Sequence, residues 1–141
     1  MNYKSITAEM LKTLRAGGAP TYAMRDGFVL ITSEGVALYK VPIDHIEINL
    51  DRCKYNPTFA DFLKEGEQLP AELTGNKKTL YGTVVVELAN DNCIALVKED
   101  YLKLFNKPVF AIGPTPRNYV LVYESNQDEP VGVIAPIEPK E

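Results

Sequence analysis

The chain contains few of the residues on which catalytic and metal sites depend. Its 141 residues include one histidine, two cysteines and no tryptophan. Cys53 and Cys93 form no Cys-x-x-Cys motif and no disulfide framework, and a single histidine makes a zinc site of the usual ligand types unexpected. A pair of either cysteine with His45 is the one nucleophilic arrangement that the composition leaves open. We therefore predict no catalytic residue, metal site or cofactor, and we do not expect an enzyme.

Long apolar runs and phosphate-binding loops are also missing. No stretch approaches the about 18 apolar residues of a membrane span, and "MNYKSITAEMLKTLRAGG" carries charge throughout, unlike an export signal. The stretch "RAGGAP" lacks the Lys-Ser/Thr that a phosphate-binding loop requires. These features predict a cytoplasmic protein with reduced thiols and no membrane contact.

A strong charge of one sign is absent as well. The chain has 15 basic and 19 acidic side chains, for a net charge of −4, and no basic domain. Wholesale electrostatic binding to nucleic acid is therefore disfavoured. A localised basic strip remains open, because net charge does not describe a single face.

What is present indicates an ordinary globular protein. The hydrophobic content of 45% and the charged content of 24% are those of a folded domain. The length predicts one domain, which can bury about two-thirds of the surface of the unfolded chain without a disulfide or metal.

Apolar periodicity predicts a series of strands and two short helices. Thr7 is the candidate cap of the first helix, and Pro57 is expected to open one or two helical turns in an irregular connector. The predicted strands are 2–7, 28–32, 36–41, 45–50, 79–88, 93–97, 109–112, 119–123 and 131–137, and the predicted helices are 8–18 and 98–107.

The front and back of the chain repeat one pattern. A shift of 91 residues overlays positions 2–35 on 93–126, with four of 34 pairs identical and nine pairs occupied by large apolar residues in both copies. "FVLI" falls on "YVLV", and after three extra residues "VPID" falls on "APIE". We expect two copies of one supersecondary unit, each covering the apolar face of the other. A chance overlay of two amphipathic stretches is the alternative.

With this repeat, the sequence resembles a domain of the DNA sliding clamps, the processivity rings of replicative polymerases. The last third, "CIALVKEDYLKLFNKPVFAIGPTPRNYVLVYESNQDEPVGVIAPI", follows the order of a clamp's last unit down to its Pro-Ile ending. The resemblance implies an α+β, DNA-clamp-like fold with two pseudo-twofold-related strand–helix–strand–strand repeats. It also implies mostly antiparallel sheets and two short helices on one face. Clamp subunits chain two or three such domains, whereas this chain has the length of one.

The expected single domain, 1–141, is divided accordingly. Repeat one covers about 1–50, the connector about 51–79 and repeat two about 80–138, with a frayed tail at 139–141. Phe59 and Phe62 of the connector are candidates for the wall of an apolar partner groove between the repeats.

Basic residues on the helices are the candidates for DNA contact. Lys12, Arg15, Lys103 and Lys107 face outward when the apolar side chains of each helix are buried. The resemblance implies that such residues track phosphates without reading bases. An acid stands three positions before Lys12, at Glu9, and another stands three positions before Lys103, so each lysine can pair within its helix. An ordinary mixed surface is the alternative.

Two functional hypotheses follow. The first is a non-enzymatic clamp-like scaffold that binds duplex DNA or DNA-processing proteins, as a homo-oligomer joined through sheet edges in "YVLVYE" or "TVVVEL". The alternative is a protein-interaction or regulatory module that keeps the fold without binding DNA.

Overall fold

The computed structural model describes residues 1–63, 66–114, 119–124 and 127–137. These ranges contain two α-helices, α1 (Tyr3–Arg15) and α2 (Glu99–Leu102), and 3-10 helices at Ile43–His45, Leu50–Arg52 and Pro57–Phe62. The strands are β1 (Thr21–Arg25), β2 (Phe28–Thr32), β3 (Ala37–Pro42), β4 (Lys54–Tyr55), β5 (Leu69–Leu80), β6 (Thr83–Ala89), β7 (Ile94–Lys98), β8 (Val109–Ile112), β9 (Val120–Tyr123) and β10 (Gly132–Ile134).

The ten strands form one sheet, so the chain is an α+β protein. Their order is β4-β1-β2-β3-β10-β9-β8-β5-β6-β7. The pairings are antiparallel except for the short parallel one between β1 and β4. β1–β2–β3 and β8–β9–β10 are each up-and-down meanders. The two meanders join where β3 pairs with β10, with Leu38 opposite Val133.

Side chains of the central strands alternate between the two faces of the sheet, as the two-residue period of a strand requires. In β2, Val29 and Ile31 belong to a larger core on one face, and Leu30 belongs to a smaller core on the other. Residues of α1, α2, β6 and β7 complete the larger core. The 3-10 helix Pro57–Phe62 and Leu63 pack on the smaller one. Both α-helices therefore share one core.

The strand β1 was missing from the prediction, and its turn explains why it forms. Asp26 and Gly27 have positive φ angles of 49° and 82°, and they connect Arg25 to its partner Phe28. A two-residue Asp-Gly turn of this type matches the twist of paired strands and strongly favours a hairpin. The next hairpin, of β2 and β3, confirms the predicted one.

The strand predicted at 2–7 is wrong, because these residues begin α1. Ile6 and Met10 lie four residues apart and are both buried, which is the helical period. The Asn2 side-chain oxygen accepts a hydrogen bond from the backbone N–H three residues later, at 3.0 Å. The cap is therefore Asn2, and the expected cap Thr7 lies inside the helix.

The strand predicted at 45–50 is also wrong. Between the 3-10 helices Ile43–His45 and Leu50–Arg52 the chain pairs with no described strand. Its alternation is nevertheless real, since Ile46 and Ile48 pack against the larger core while Glu47 between them is exposed. The alternation of residues 45–50 thus predicts correctly which side chains are buried, but it wrongly predicts that the backbone pairs with a strand.

The strand predicted at 79–88 is divided by a turn. Leu80 and Thr83 pair across Tyr81 and Gly82, so the segment supplies the end of β5 and most of β6. β5 starts at Leu69, inside the predicted connector of residues 51–79. The helical turns expected after Pro57 are confirmed by the 3-10 helix Pro57–Phe62.

The rest of the second half follows the prediction with a shorter helix. α2 has only four residues, and turns lead from it to Pro108. β6 and β9 each have a neighbour on both sides, so neither stretch expected at a sheet edge forms one. The expected frayed tail and the last residue of repeat two lie outside the described residues.

Candidate functional site

The outer face of α1 is basic. Ile6 and Met10 turn into the core, which leaves Lys4, Lys12 and Arg15 exposed. No ion pair among the described residues involves any of the three. They span about 16 Å of helix at 1.5 Å per residue. We call these three residues the α1 strip. Lys12 and Arg15 are two of the predicted DNA-facing residues. Lys4 was not predicted, because residues 2–7 were assigned to a strand.

The only acid of α1 is turned away from this strip. The Ser33 hydroxyl donates to Glu9 Oε1 at 3.2 Å, and Glu9 Oε2 is buried without a hydrogen-bond partner in the described part of the chain. The buried hydroxyl of Tyr39 lies beside this carboxylate and also lacks a well-formed hydrogen bond. Burial raises the pKa of Glu9. The expected pairing of Glu9 with Lys12 is therefore wrong, and Lys12 is not neutralised from its own helix.

The basic residues near α2 differ from those of α1. Lys103 Nζ lies 3.7 Å from Glu99 and 3.8 Å from Asp100, so its predicted pairing within the helix is confirmed. Lys77 on β5 forms a closer ion pair with Glu99, at 2.6 Å, and this lysine lowers the pKa of Glu99. Lys107 is exposed and follows the helix in a turn, at a φ of 45°. The structure therefore does not continue the α1 strip onto the second helix.

A groove of about 530 Å³ separates the two helices. Lys12 of α1 and Asp100 of α2 both line it, and the Asn2 backbone N–H donates to the Leu104 carbonyl at 2.7 Å beside the helices. Tyr101, which also lines the groove, is buried. This burial, together with the carboxylates of Glu34, Glu9 and Asp100, raises the pKa of Tyr101. The groove is thus polar and mixed in charge, and it brings the predicted Lys12 and the helix of Lys103 to one face.

The predicted groove residues Phe59 and Phe62 lie on the opposite face of the sheet. They line a cavity of about 240 Å³ together with Tyr119 and residues of β3 and β10. Phe62 makes edge-to-face contacts with Phe59 and Tyr119, with ring centroids 5.4 and 5.3 Å apart. Both phenylalanines are half-buried and pack on the smaller core. The cavity borders the joint between the two meanders.

The histidine and the cysteines occupy ordinary positions. His45 is exposed and stacks on Tyr3, with ring centroids 4.6 Å apart. Cys93 packs against the larger core, its thiol bonds the Gly113 carbonyl, and burial raises the pKa of both Cys53 and Cys93. In the described ranges no three His, Cys, Asp or Glu side chains are grouped as metal ligands would be. None of these groups is prepared as a nucleophile.

Comparison with known proteins gives no relative from which a function could be inferred. No family model, curated protein or solved structure matches the chain. None of the described helices is long and apolar enough to cross a membrane.

Proposed function

We propose that the chain is a non-enzymatic, clamp-like scaffold made of two related units. The units are α1 with β1–β3 and α2 with β8–β10. The observation that carries the proposal is their arrangement about the β3–β10 pairing, because the order β1-β2-β3-β10-β9-β8 is what a local twofold axis at that joint would generate. In each unit the helix precedes the three strands and packs into the same core.

The sequence repeat supports this relation only in part, because the 91-residue shift also places the start of α1 on the strand β7. The 91-residue shift places Val29 and Leu30 of β2 on Val120 and Leu121 of β9, the middle strands of the two meanders. The units are unequal, since α1 has 13 residues and α2 has four.

We propose further that the scaffold contacts the phosphate backbone of duplex DNA through the α1 strip. Three exposed cations lie along one helix face, with its only acid turned inward. Such contacts position a protein on DNA without reading its sequence. They also release counterions, so the affinity must fall with salt.

The test is fluorescence anisotropy of a labelled duplex across a salt series. Three phosphate contacts predict a slope of log K against log salt of about −3. The triple variant Lys4→Glu/Lys12→Glu/Arg15→Glu is expected to lose the binding. Lys54→Glu, which reverses one exposed charge on β4, is the matched control for the single variant Lys12→Glu and should lower affinity far less. Absence of binding at low salt, or equal binding by the triple variant, would contradict the DNA contact.

The alternative is a protein-interaction or regulatory module that keeps the two units without binding DNA. The observation that favours it is the cavity beside Phe59, Phe62 and Tyr119, which opens at the joint of β3 and β10. The same salt series separates the two functions, because only the DNA-binding scaffold predicts a measurable, salt-dependent affinity for the DNA duplex.

A further inference from the structure

The strand β5 changes partners along its length and leaves part of one edge free. Through Leu69–Ala71 it pairs with β8, whereas on its other side Glu72 and Leu73, and then residues 77–80, pair with β6. Residues 74–76 form an irregularity between these two stretches. Among the described residues, no strand pairs with the β8 side of β5 beyond Ala71. Every residue from Glu72 to Thr79 is exposed. We call residues 77–80, the regular stretch before the turn, the free edge on this side.

The turn at the end of β5 determines which backbone groups face the free edge. Leu80 and Thr83 flank a two-residue turn, so they form a hydrogen-bonded pair. Hydrogen-bonded and non-hydrogen-bonded pairs alternate along an antiparallel ladder. Lys78 is therefore bonded to β6, whereas Lys77 and Thr79 direct their N–H and C=O groups outward. These are the groups with which an added strand would pair.

An apolar groove lies beside the free edge, where β5 separates from β8. Its cavity of about 420 Å³ is lined by apolar side chains of β5, β6, α2 and β8. The apolar lining residues are Leu73, Val86, Leu102, Pro108 and Phe110. A side chain from an added strand would thus find an apolar site next to the unpaired backbone.

Exposed lysines lie at the rim of this groove. The side chains of Lys77 and Lys103 are 61% and 66% exposed; Lys77 pairs with Glu99, and Lys103 lies near both Glu99 and Asp100. Lys78 adds a third exposed cation on the free edge. A second copy of the chain would bring these lysines close to their own equivalents, and like charges across a pair of strands are destabilising. The rim favours a partner with acidic side chains instead.

We propose that the free edge of β5 binds an extended peptide as an added strand. The backbone of the peptide pairs with Lys77 and Thr79, an apolar residue enters the groove, and flanking acids pair with Lys77 and Lys103. Addition of a strand to an exposed sheet edge is an established mode of peptide recognition, in which the backbone supplies affinity and the pocket supplies specificity. This site does not depend on the α1 strip or on DNA binding.

The probe is a pool of synthetic peptides with two acidic residues at each end and Leu, Val, Ile or Phe on either side of a central threonine. Added to ¹⁵N-labelled protein, it is expected to shift the amide signals of Lys77 and Thr79 and to slow their hydrogen exchange. A pool with lysines at the ends should bind at least roughly tenfold more weakly, because each lost charge pair removes a charge-assisted contact.

Variants then separate the groove, the edge and the rest of the surface. Leu73→Asp is expected to weaken binding roughly tenfold or more by placing a charge in the apolar groove. Met24→Asp, at an exposed apolar position on β1, should bind as the wild type does. Thr79→Pro removes one outward N–H and is expected to weaken peptide binding. Lys12→Glu, in the α1 strip, should leave peptide binding unchanged. If Thr79→Pro fails to fold, Leu73→Asp carries the test.

Three results would overturn the proposal. The first is the absence of shifts at Lys77 and Thr79 at about millimolar peptide. The second is binding that Leu73→Asp does not weaken. The third is protection of the same amides that grows with protein concentration alone, which would assign the free edge to a second copy of the chain.

Discussion

Among the described glycines, Gly132, the first residue of β10, has the least room for a side chain. A Cβ atom there would lie 2.6 Å from Phe105 Cε1 and 3.2 Å from the Leu38 carbonyl oxygen. Phe105 is buried and packs beside Tyr39 in the larger core, so its ring has little room to move. Glycine therefore permits β3, β10 and the segment after α2 to meet.

Gly132→Ala is expected to destabilise the protein by about 1–3 kcal/mol, the usual cost of overpacking a core. Thermal or urea unfolding followed by circular dichroism measures the change. Gly18→Ala, at an exposed position, is the control and should cost less. Adding Phe105→Leu to Gly132→Ala should recover part of the loss, and a double variant no better than the sum of the two single variants would contradict the contact.

Glu9 makes the free energy of unfolding depend on pH. Burial raises its pKa, so the folded protein holds the proton more tightly than the unfolded chain. The stabilisation from the protonated form is complete below the unfolded pKa and is lost as the pH rises through the folded pKa. Above the folded pKa, the charged, buried carboxylate therefore reduces stability.

Glu9→Gln keeps the acceptor for Ser33 and removes the charge. We expect it to melt a few degrees above the wild type at neutral pH, and the two curves to converge below about pH 4. Differential scanning calorimetry across this range measures the difference. Glu47→Gln makes the same change in net charge at an exposed site and serves as the control. A Glu9→Gln protein that melts lower than the wild type at neutral pH would show that the carboxylate is stabilising.

At the scale of the element, α1 depends on its first turn. Asn2 accepts the backbone N–H of Ser5, which helix geometry would otherwise leave without a partner. Asn2→Ala is expected to cost about 1 kcal/mol, and Asn2→Asp, which keeps the acceptor, much less. Urea unfolding of the three proteins checks the order. Equal losses for the alanine and aspartate variants would contradict the capping role.

The elements show where sequence patterns suffice and where they do not. β2 and β9 were predicted at their observed positions because each is a short apolar run between turns. The segment 45–50 alternates as a half-buried strand does, but no strand in the described ranges pairs with it. Periodicity cannot report whether a partner is present. The Asp26-Gly27 turn could have revealed β1, since that dipeptide is a strong hairpin signal.

The candidate site was predictable only in part for a similar reason. Lys12 and Arg15 follow from the helical period, which places them opposite Met10. The inward orientation of Glu9 depends on Ser33, which is distant in sequence and reaches the carboxylate only in the folded chain. The free edge of β5 results from a change of partners between β8 and β6, and no local pattern records it.

At the scale of the whole molecule, the joint of β3 and β10 holds the two meanders together. It makes one sheet from the two meanders, and residues of α1 and α2 pack in one core on that sheet. The clamp-like proposal depends on this joint, because the twofold axis that we propose would pass through it. The α1 strip, the cavity beside Phe59 and Phe62, and the free edge of β5 all lie around the sheet that this joint completes.

The most direct test of this arrangement is the set of nuclear Overhauser contacts between backbone protons of β3 and β10. We expect cross-strand contacts between Leu38 and Val133 and between Tyr39 and Gly132, together with a contact between Asn2 and Leu104 beside the two helices. Pairing of β3 or β10 with a different strand, or helices without mutual contacts, would contradict the relation of the two units and the clamp-like function proposed from it.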